Sequence, residues 1–280
     1  MPSYLVAQSE LPDEREKRRE RAGKSAGETY KATLKQLRPA ARIDIASPAD
    51  ADSRRFKPID LAKYDAVFLT GSPMHVYRET AEVDRQLDFM RAVFASGVPS
   101  FGSCAGLQVA TAAAGGKVRR MPRRMEAGIA RRISATEAGR NHPLLAGRPG
   151  SWDAPAIHGD EVELLPDGAI LLASNGMTQI QAAEIRYDRG IFWGVQYHPE
   201  LALREIAIAL RAQASDLVEA GLASTDQQVF SRADEIEALH EDPEDQTLQW
   251  RIGIDGEFAH EQQRRREIVN FLGYAPHLRR

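Results

Sequence analysis

Strand-like and helix-like segments alternate along the first part of the chain, and this alternation constrains the fold more than any other feature. Residues 41–46 are typical of a strand and 65–70 of a buried strand, whereas 82–96 carry apolar side chains at helical spacing. A short strand at 99–101 then leads into an alanine-rich helix at 107–114. Strands that alternate with helices form parallel sheets covered on both faces. The sequence therefore predicts an α/β domain.

The middle of the chain is typical of antiparallel strands. We expect strands at 128–136, 152–165, 169–174, 180–187 and 191–196, and a helix at 203–220. The turn that joins the last two strands ends at Gly190, which we expect to adopt a positive φ.

The polar C-terminal part lacks strand signals and predicts helices at 227–240, 246–250 and 259–272. Their expected apolar anchors are Phe230, Ile236, Leu239, Leu248, Trp250, Ile268 and Phe271. The run 262–266 (Gln-Gln-Arg-Arg-Arg) is expected to be a solvated helix face. We therefore predict an α/β domain over 1–222 and a helical extension over 223–280, which packs on the body, covers the active site or forms a homodimer.

Composition and charge exclude several classes of protein. The 37 basic and 40 acidic residues leave a formal charge of −3, which argues against a nucleic-acid-binding protein. No apolar run reaches the roughly 18 residues that a membrane span needs, and the N-terminus lacks a secretory signal pattern. We expect a cytoplasmic protein without membrane association. The single cysteine, Cys104, excludes an intrachain disulfide and a multi-cysteine zinc site, and nothing in the sequence indicates a metal or cofactor.

That cysteine lies in a distinctive turn. Residues 102–106 read Gly-Ser-Cys-Ala-Gly and join a predicted strand directly to a predicted helix. This is the spacing of a nucleophile elbow, with cysteine in place of serine. The N-terminus of the following helix favours the thiolate form of the sulfur. A lone cysteine is more often simply buried, so this turn alone leaves catalysis and packing equally open.

A second motif supplies what a thiol nucleophile requires. Residues 194–200 read Gly-Val-Gln-Tyr-His-Pro-Glu at the end of a predicted buried strand. A nucleophile needs a base, and that base needs a partner that orients its ring. His198 and Glu200 are two residues apart, so their side chains start on the same side of the strand. Together with Cys104 they predict a catalytic triad.

Four segments of this sequence resemble class I (triad) glutamine amidotransferases. Gly-Ser-Cys-Ala-Gly-Leu-Gln at 102–108 and Tyr-His-Pro-Glu at 197–200 resemble the family's nucleophile and His/Glu signatures. Leu-Thr-Gly-Ser-Pro at 69–73 resembles its Gly-Gly-Pro oxyanion loop, and Ile-His-Gly-Asp-Glu-Val at 157–162 resembles the His-Gly-Asp segment of GMP-synthase-type members. The four occur in the family's order within 1–215. The resemblance implies a flavodoxin-like three-layer α/β/α fold.

The resemblance also implies roles for individual residues. Cys104 would be the nucleophile, His198 the general base and then acid, and Glu200 its orienting partner. Gly71 and Ser72 would form the oxyanion loop, and the amides of Ser72 and Ala105 would form the oxyanion hole. Gln108 matches a position that contacts the α-amino-acid end of the substrate.

One departure from the family pattern affects the oxyanion hole. Ser72 replaces the second glycine of Gly-Gly-Pro. If its amide needs a positive φ to point inward, serine incurs a penalty that glycine would not, and the hole would form only on binding of a substrate or partner. His158 and Asp160 are expected either to structure a turn at the sheet edge or to contact the ligand.

Three functions fit this resemblance. The first is a glutaminase that hydrolyses the γ-amide of glutamine through a cysteine thioester and releases ammonia for a separate synthase. The second is a free-standing hydrolase of γ-glutamyl amides or peptides, which needs room for a larger leaving group. The third is a non-catalytic binding protein, and the presence of Cys104, His198 and Glu200 argues against it.

Overall fold

The computed structural model describes residues 1–122 and 125–279. The strands are β1 (Ser3–Ala7), β2 (Arg42–Ala46), β3 (Ala66–Leu69), β4 (Ser100–Ser103), β5 (Lys117–Arg120), β6 (Glu126–Ala135), β7 (Ser151–His158), β8 (Asp160–Leu164), β9 (Ile170–Ser174), β10 (Ala182–Tyr187) and β11 (Gly190–Val195). The helices of the first half are α1 (Pro12–Ala22), α2 (Ala26–Leu37), α3 (Pro58–Leu61), α4 (Ala81–Ser96), α5 (Ala105–Ala113) and α6 (Glu137–Arg140), followed by a 3₁₀ turn at Pro143–Leu145. The helices of the second half are α7 (Leu203–Ala212), α8 (Ala214–Glu219), α9 (Asp226–Glu241), α10 (Gln246–Ile252), α11 (Gly256–Ala259), α12 (Glu261–Arg264) and α13 (Arg266–Leu278).

A mixed nine-stranded sheet runs through the protein in the order β2-β1-β3-β4-β11-β10-β9-β6-β7. The first five strands of this order are parallel, and the other four add on antiparallel. The registers of β4 and β11 pair Ser103 with Val195, so both strands end at the same edge of the sheet. Residues that follow these two strands therefore converge there.

Apolar side chains cover both faces of this sheet. Helices α2 and α13 pack on one face, where Tyr30 and Phe271 contact Phe68 of β3. Helices α3, α4 and α5 pack on the other face. This arrangement confirms the flavodoxin-like three-layer α/β/α fold.

Two expectations about the antiparallel strands were wrong. The single strand expected over 152–165 ends at His158, and β8 then pairs with β5 in a separate two-stranded sheet. In the turn before β11, Asp188 rather than Gly190 has the positive φ, at 50°. Gly190 is needed for another reason, because a Cβ there would lie 2.6 Å from the Cα of Phe94.

The C-terminal helices pack on the body of the protein, and α13 contributes Ile268 and Phe271 to the main core. Helix α9 packs against α7 through Ile236 and Leu239 in a smaller apolar cluster. The expected helix over 203–220 is interrupted at Gln213 between α7 and α8. No described residue beyond 222 lines the cleft at the sheet edge, so the extension does not cover it in this structure.

Several residues of this extension differ from expectation. Trp250 is 81% exposed and Phe230 36% exposed, so neither is an apolar anchor. Arg264 and Arg265 are buried rather than solvated. Arg264 donates to the carbonyl oxygens of Phe258 and Ala259, both at 2.6 Å, and its burial lowers its pKa to about 10. Its guanidinium thus joins α11 and α12 where the sequence suggested a solvent-facing helix.

A buried ion pair fixes α13 beside strand β11. Glu267 accepts two hydrogen bonds from the Arg148 guanidinium at 2.7 Å each, and a third from the Tyr197 hydroxyl at 2.8 Å. Tyr197 is the residue immediately before His198.

The domain boundary near residue 222 and the homodimer both remain predictions. Among the described residues, none of the helices combines the length and hydropathy that a bilayer crossing requires.

Candidate active site

Cys104 forms a strained turn between β4 and α5. Its φ of 52° and ψ of −112° lie in a region that favours glycine, as a nucleophile elbow requires. Its amide donates to the carbonyl of Val195 at 2.8 Å, which fixes the turn to the end of β11. A Cβ at Gly106 would lie 2.6 Å from the Leu69 oxygen. Close packing against β3 therefore requires the small residue that the motif has.

His198 and Glu200 lie beside this turn. The His198 Nδ1 is 2.8 Å from Glu200 Oε1, and both residues are buried. The backbone amide of His198 donates to the Pro155 carbonyl at 2.8 Å, which holds the segment after β11 against β7. The structure thus brings together the three residues predicted as a triad.

The electrostatics of this group are dominated by His198. Burial on its own lowers the pKa of His198, but the charge of Glu200 and the adjacent Cys104 outweigh this effect and raise the pKa to about 10. This environment makes the His198 ring a stronger base than a free imidazole.

Helix α2 supports Glu200 from behind. Thr33 Oγ1 donates to the Glu200 carbonyl at 3.2 Å. The Tyr30 hydroxyl lies 3.0 Å from Ser103 Oγ. Burial, and in addition the charge of Glu200, raises the pKa of Tyr30 well above its usual value. No feature of the sequence pointed to the Thr33–Glu200 contact, because the two residues are 167 positions apart.

The oxyanion loop approaches the same residues. A Cβ at Gly71 would lie 2.7 Å from His198 Cε1 and 3.5 Å from Cys104 Cβ, so only glycine fits there. Ser72 does not adopt a positive φ, and the expected penalty does not arise in this structure. Its hydroxyl accepts from the Met74 amide at 3.1 Å. Ala105 is the first residue of α5, so its N–H has no acceptor within the helix.

Gln108 and Asp160 form one wall of the cleft. Gln108 Nε2 donates to the Asp160 carbonyl at 3.1 Å. The Asp160 carboxylate lies 2.6 Å from His75 Nδ1 and accepts from the Tyr77 hydroxyl at 3.4 Å. No motif of the sequence indicated His75 or Tyr77. Their position in the loop after β3, at the carboxyl edge of the sheet, was the signal that could have identified them.

His158 does not face the cleft with a free nitrogen. Its Nδ1 lies 3.0 Å from the Asp160 carbonyl and its Nε2 lies 3.0 Å from Glu126 Oε2. Glu126 also accepts from Asn175 and Gln181, at 2.6 and 2.7 Å. Both ring nitrogens are therefore engaged, and His158 holds the turn between β7 and β8 in place.

Cys104 lies on the floor of a cleft of about 1070 Å³. Its lining comprises the oxyanion loop, the wall formed by Gln108 and Asp160, and one side each of α1, α7 and α8. Ligand pockets usually span about 300–1,000 Å³, so this cleft is large for a single amino acid. Within residues 1–122 and 125–279, no three His, Cys, Asp or Glu side chains are grouped so that they could hold a metal ion.

The sequence is similar to several known proteins. The family described as "Glutamine amidotransferase class-I" matches residues 23–213. A γ-glutamyl-L-1-hydroxyisopropylamide hydrolase from a Pseudomonas species is 39% identical over 208 residues, which cover 72% of this chain and 69% of that protein. A glutamine-hydrolysing GMP synthase from Leifsonia xyli is 38% identical over 135 residues, which cover 48% of this chain but only 25% of the synthase.

Solved structures show the same fold. A glutamine amidotransferase from Thermotoga maritima superposes with a TM-score of 0.64 at 16% identity, covering 96% of this chain and 99% of that one. A glutamine amidotransferase from Methylobacillus flagellatus gives a TM-score of 0.56 at 19% identity, covering 96% and 94%. Because the family match spans more than half of the sequence, the chain belongs to the class I glutamine amidotransferase family.

Proposed function

We propose that this chain is a cysteine-dependent hydrolase of γ-glutamyl amides, with Cys104, His198 and Glu200 as its catalytic triad. One observation carries the proposal. A strained cysteine and a buried His–Glu pair line the same cleft of about 1070 Å³, and Gly71 approaches both the cysteine and the histidine. Glutamine is the smallest γ-glutamyl amide, so the proposal extends the family's reaction to larger leaving amines.

The geometry supports a two-step reaction. His198 takes the thiol proton, and the Cys104 sulfur attacks the γ-carbonyl carbon, giving a tetrahedral oxyanion that the Ser72 and Ala105 amides stabilise. As the C–N bond breaks, His198 returns the proton to the leaving amine, and a γ-glutamyl thioester remains. Water, activated by His198, then hydrolyses the thioester to glutamate and the free thiol. Glu200 holds His198 through Nδ1 and leaves Nε2 for these proton transfers.

The wall formed by Gln108 and Asp160 suits the amino-acid end of the substrate. Asp160 brings a carboxylate to the cleft that can pair with an α-ammonium group, and His75 and Tyr77 fix its orientation. Gln108 is buried and donates to the Asp160 carbonyl, so it positions this wall as well as lining the cleft.

Similarity supports the larger leaving group. The Pseudomonas relative is named for the hydrolysis of a γ-glutamyl amide with a three-carbon leaving group and is matched over 69% of its length. The GMP synthase relative is matched over a quarter of its length. That second match favours an alternative function, a glutaminase that supplies ammonia to a separate synthase.

Glutamate release by the purified chain separates these functions. The substrates are glutamine, γ-glutamyl alkylamides and γ-glutamyl dipeptides, and Cys104→Ala is the control. We expect rapid, Cys104-dependent cleavage of alkylamides with glutamine a poorer substrate. Slow turnover of every substrate, with Cys104 still labelled by a glutamine-like electrophile, would instead support a glutaminase that needs a synthase partner. Activity retained by Cys104→Ala would refute the assignment of the nucleophile.

A further inference from the structure

Helix α7 presents two different faces. One face is buried against α9 and consists of Leu203, Ile206, Ala207 and Leu210. The other face lines the cleft and consists of Glu205, Ile208, Ala209 and Ala212. The spacing of this second set, at i, i+3, i+4 and i+7, is that of a continuous helical stripe. Two of its four residues are alanines, which leave the space in front of the helix open.

Helix α1 also lines the cleft, next to α7. The residues that it contributes are Glu14, Lys17, Arg18, Arg21 and Ala22, again at helical spacing. None of the residues of α1 is buried, so ion pairs hold the helix rather than apolar packing. Arg15 pairs with Asp50 at 2.7 Å, and Arg18 reaches Glu205 on α7 at 3.2 Å. The family match begins at residue 23 and leaves α1 outside it.

The two glutamates between the helices already have partners within the protein. Glu205 Oε1 accepts from Arg18 and from Thr29 Oγ1, and its Oε2 accepts from the Ala202 amide at 3.0 Å. Glu10 Oε2 accepts from the Ala26 amide at 2.8 Å, and its Oε1 lies 3.7 Å from Arg18. The other charged side chains that α1 and α8 bring to the lining are exposed to solvent: Lys17, Arg21, Asp216 and Glu219. The half-buried part of this lining therefore offers mainly the carbon surface of Ala22, Ile208 and Ala209 to a ligand.

We infer that the space between α1 and α7 is the subsite for the leaving amine, and that it accepts a short, uncharged aliphatic chain. This inference rests on the proposed function. The wall formed by Gln108 and Asp160 takes the amino-acid end of the substrate, which leaves the side formed by α1 and α7 for the other substituent of the amide. Ala209 and Ala22 are then specificity-determining residues, because their small size admits the chain.

The test introduces a larger side chain into the subsite from each of the two helices. Ala209→Phe and Ala22→Phe place a ring in the space, and Ala238→Phe, at an exposed position on α9 that does not line the cleft, is the matched control. The substrates are γ-glutamylmethylamide and γ-glutamyl-n-butylamide. We expect each cleft variant to lower the ratio of kcat/KM for butylamide over methylamide by about tenfold or more, as loss of room for several methylenes does in other pockets. The control should leave that ratio unchanged.

The outcomes separate the subsite from the reaction. If the wild-type protein cleaves both amides but the cleft variants lower both values equally, or change neither, the subsite assignment is wrong and the proposed function stands. If the wild-type protein cleaves neither amide, the proposed function fails and the subsite with it. Thermal unfolding of each variant shows whether a loss of activity reflects misfolding. Because the two cleft variants are on different helices, the test can still be read if one of them does not fold.

Discussion

Gly71 is the position where the smallest chemical change should have the largest catalytic effect. A Cβ added there would lie 2.7 Å from His198 Cε1, whereas ordinary van der Waals contact begins at 3.4 Å. In Gly71→Ala the ring or the loop must therefore retreat by about 0.7 Å. The 2.8 Å hydrogen bond to Glu200 and the approach to Cys104 both depend on the ring position.

A displacement of this size is large for a catalytic group. Misplacing reacting groups by about 1 Å can cost 10²-fold in rate, so we expect Gly71→Ala to lower kcat by about 10- to 100-fold. The folded protein should lose little stability, because the loop can move outward into the cleft. The assay is Cys104-dependent release of glutamate from a γ-glutamyl amide, together with the alkylation rate of Cys104 by iodoacetamide, which needs no knowledge of the substrate.

Gly150→Ala is the matched control. A Cβ at Gly150 meets no atom within 4 Å, and its φ is not positive. This variant should keep wild-type kcat and alkylation rate. If Gly71→Ala also keeps both, the close approach of Gly71 to His198 does not constrain catalysis. A loss of activity that merely follows a loss of folded protein in thermal unfolding would contradict the prediction as well.

Three further predictions concern charge, strain and burial. The folded-state pKa of His198 is raised to about 10 from 6.5, so its contribution to stability is complete below pH 6.5 and is lost as the pH rises towards 10. Glu200→Gln should therefore flatten the pH dependence of the free energy of unfolding in urea between these values. An unchanged slope would contradict this prediction. Cys104 has a φ of 52°, which glycine adopts more easily than alanine. The free energy of unfolding of Cys104→Gly should therefore exceed that of Cys104→Ala by about 1 kcal/mol. Equal values in chemical denaturation would show that the turn is not strained. Glu267→Ala leaves the buried Arg148 charge without its main partner, so the free energy of unfolding should fall by about 3–5 kcal/mol. A decrease below about 1 kcal/mol in the same measurement would mean that water or Glu257 compensates for the lost partner.

Local sequence was enough to predict the edge of the sheet where the candidate triad lies. The Gly-Ser-Cys-Ala-Gly turn and the His-Pro-Glu segment each follow a strand, and parallel strands that end at one edge bring such residues together. The registers of β4 and β11 place them there. The roles of these residues in catalysis remain a prediction, which Cys104→Ala tests.

The expectations that failed involve residues whose environment is supplied by distant segments. Arg265 lies in a polar run that resembles a solvent-facing helix, yet it is buried because its guanidinium donates to Gln36 and Thr33 of α2. Trp250 has the size of a core residue, yet α10 turns it outward. The hydrophobic pattern of a segment indicates its average preference for burial or exposure. The pattern does not specify which other segment packs against it.

The sequence by itself therefore determined the layers, the sheet edge and the chemistry available there, since strand and helix periods and short turn motifs are local properties. The tertiary structure alone decided that α1 and α7 line one cleft, that His75 contacts Asp160, and that Glu267 reaches Tyr197 beside β11. Each of these contacts joins segments far apart in the chain. Such contacts form only when the packed core fixes the positions of both partners, so no local pattern contains them.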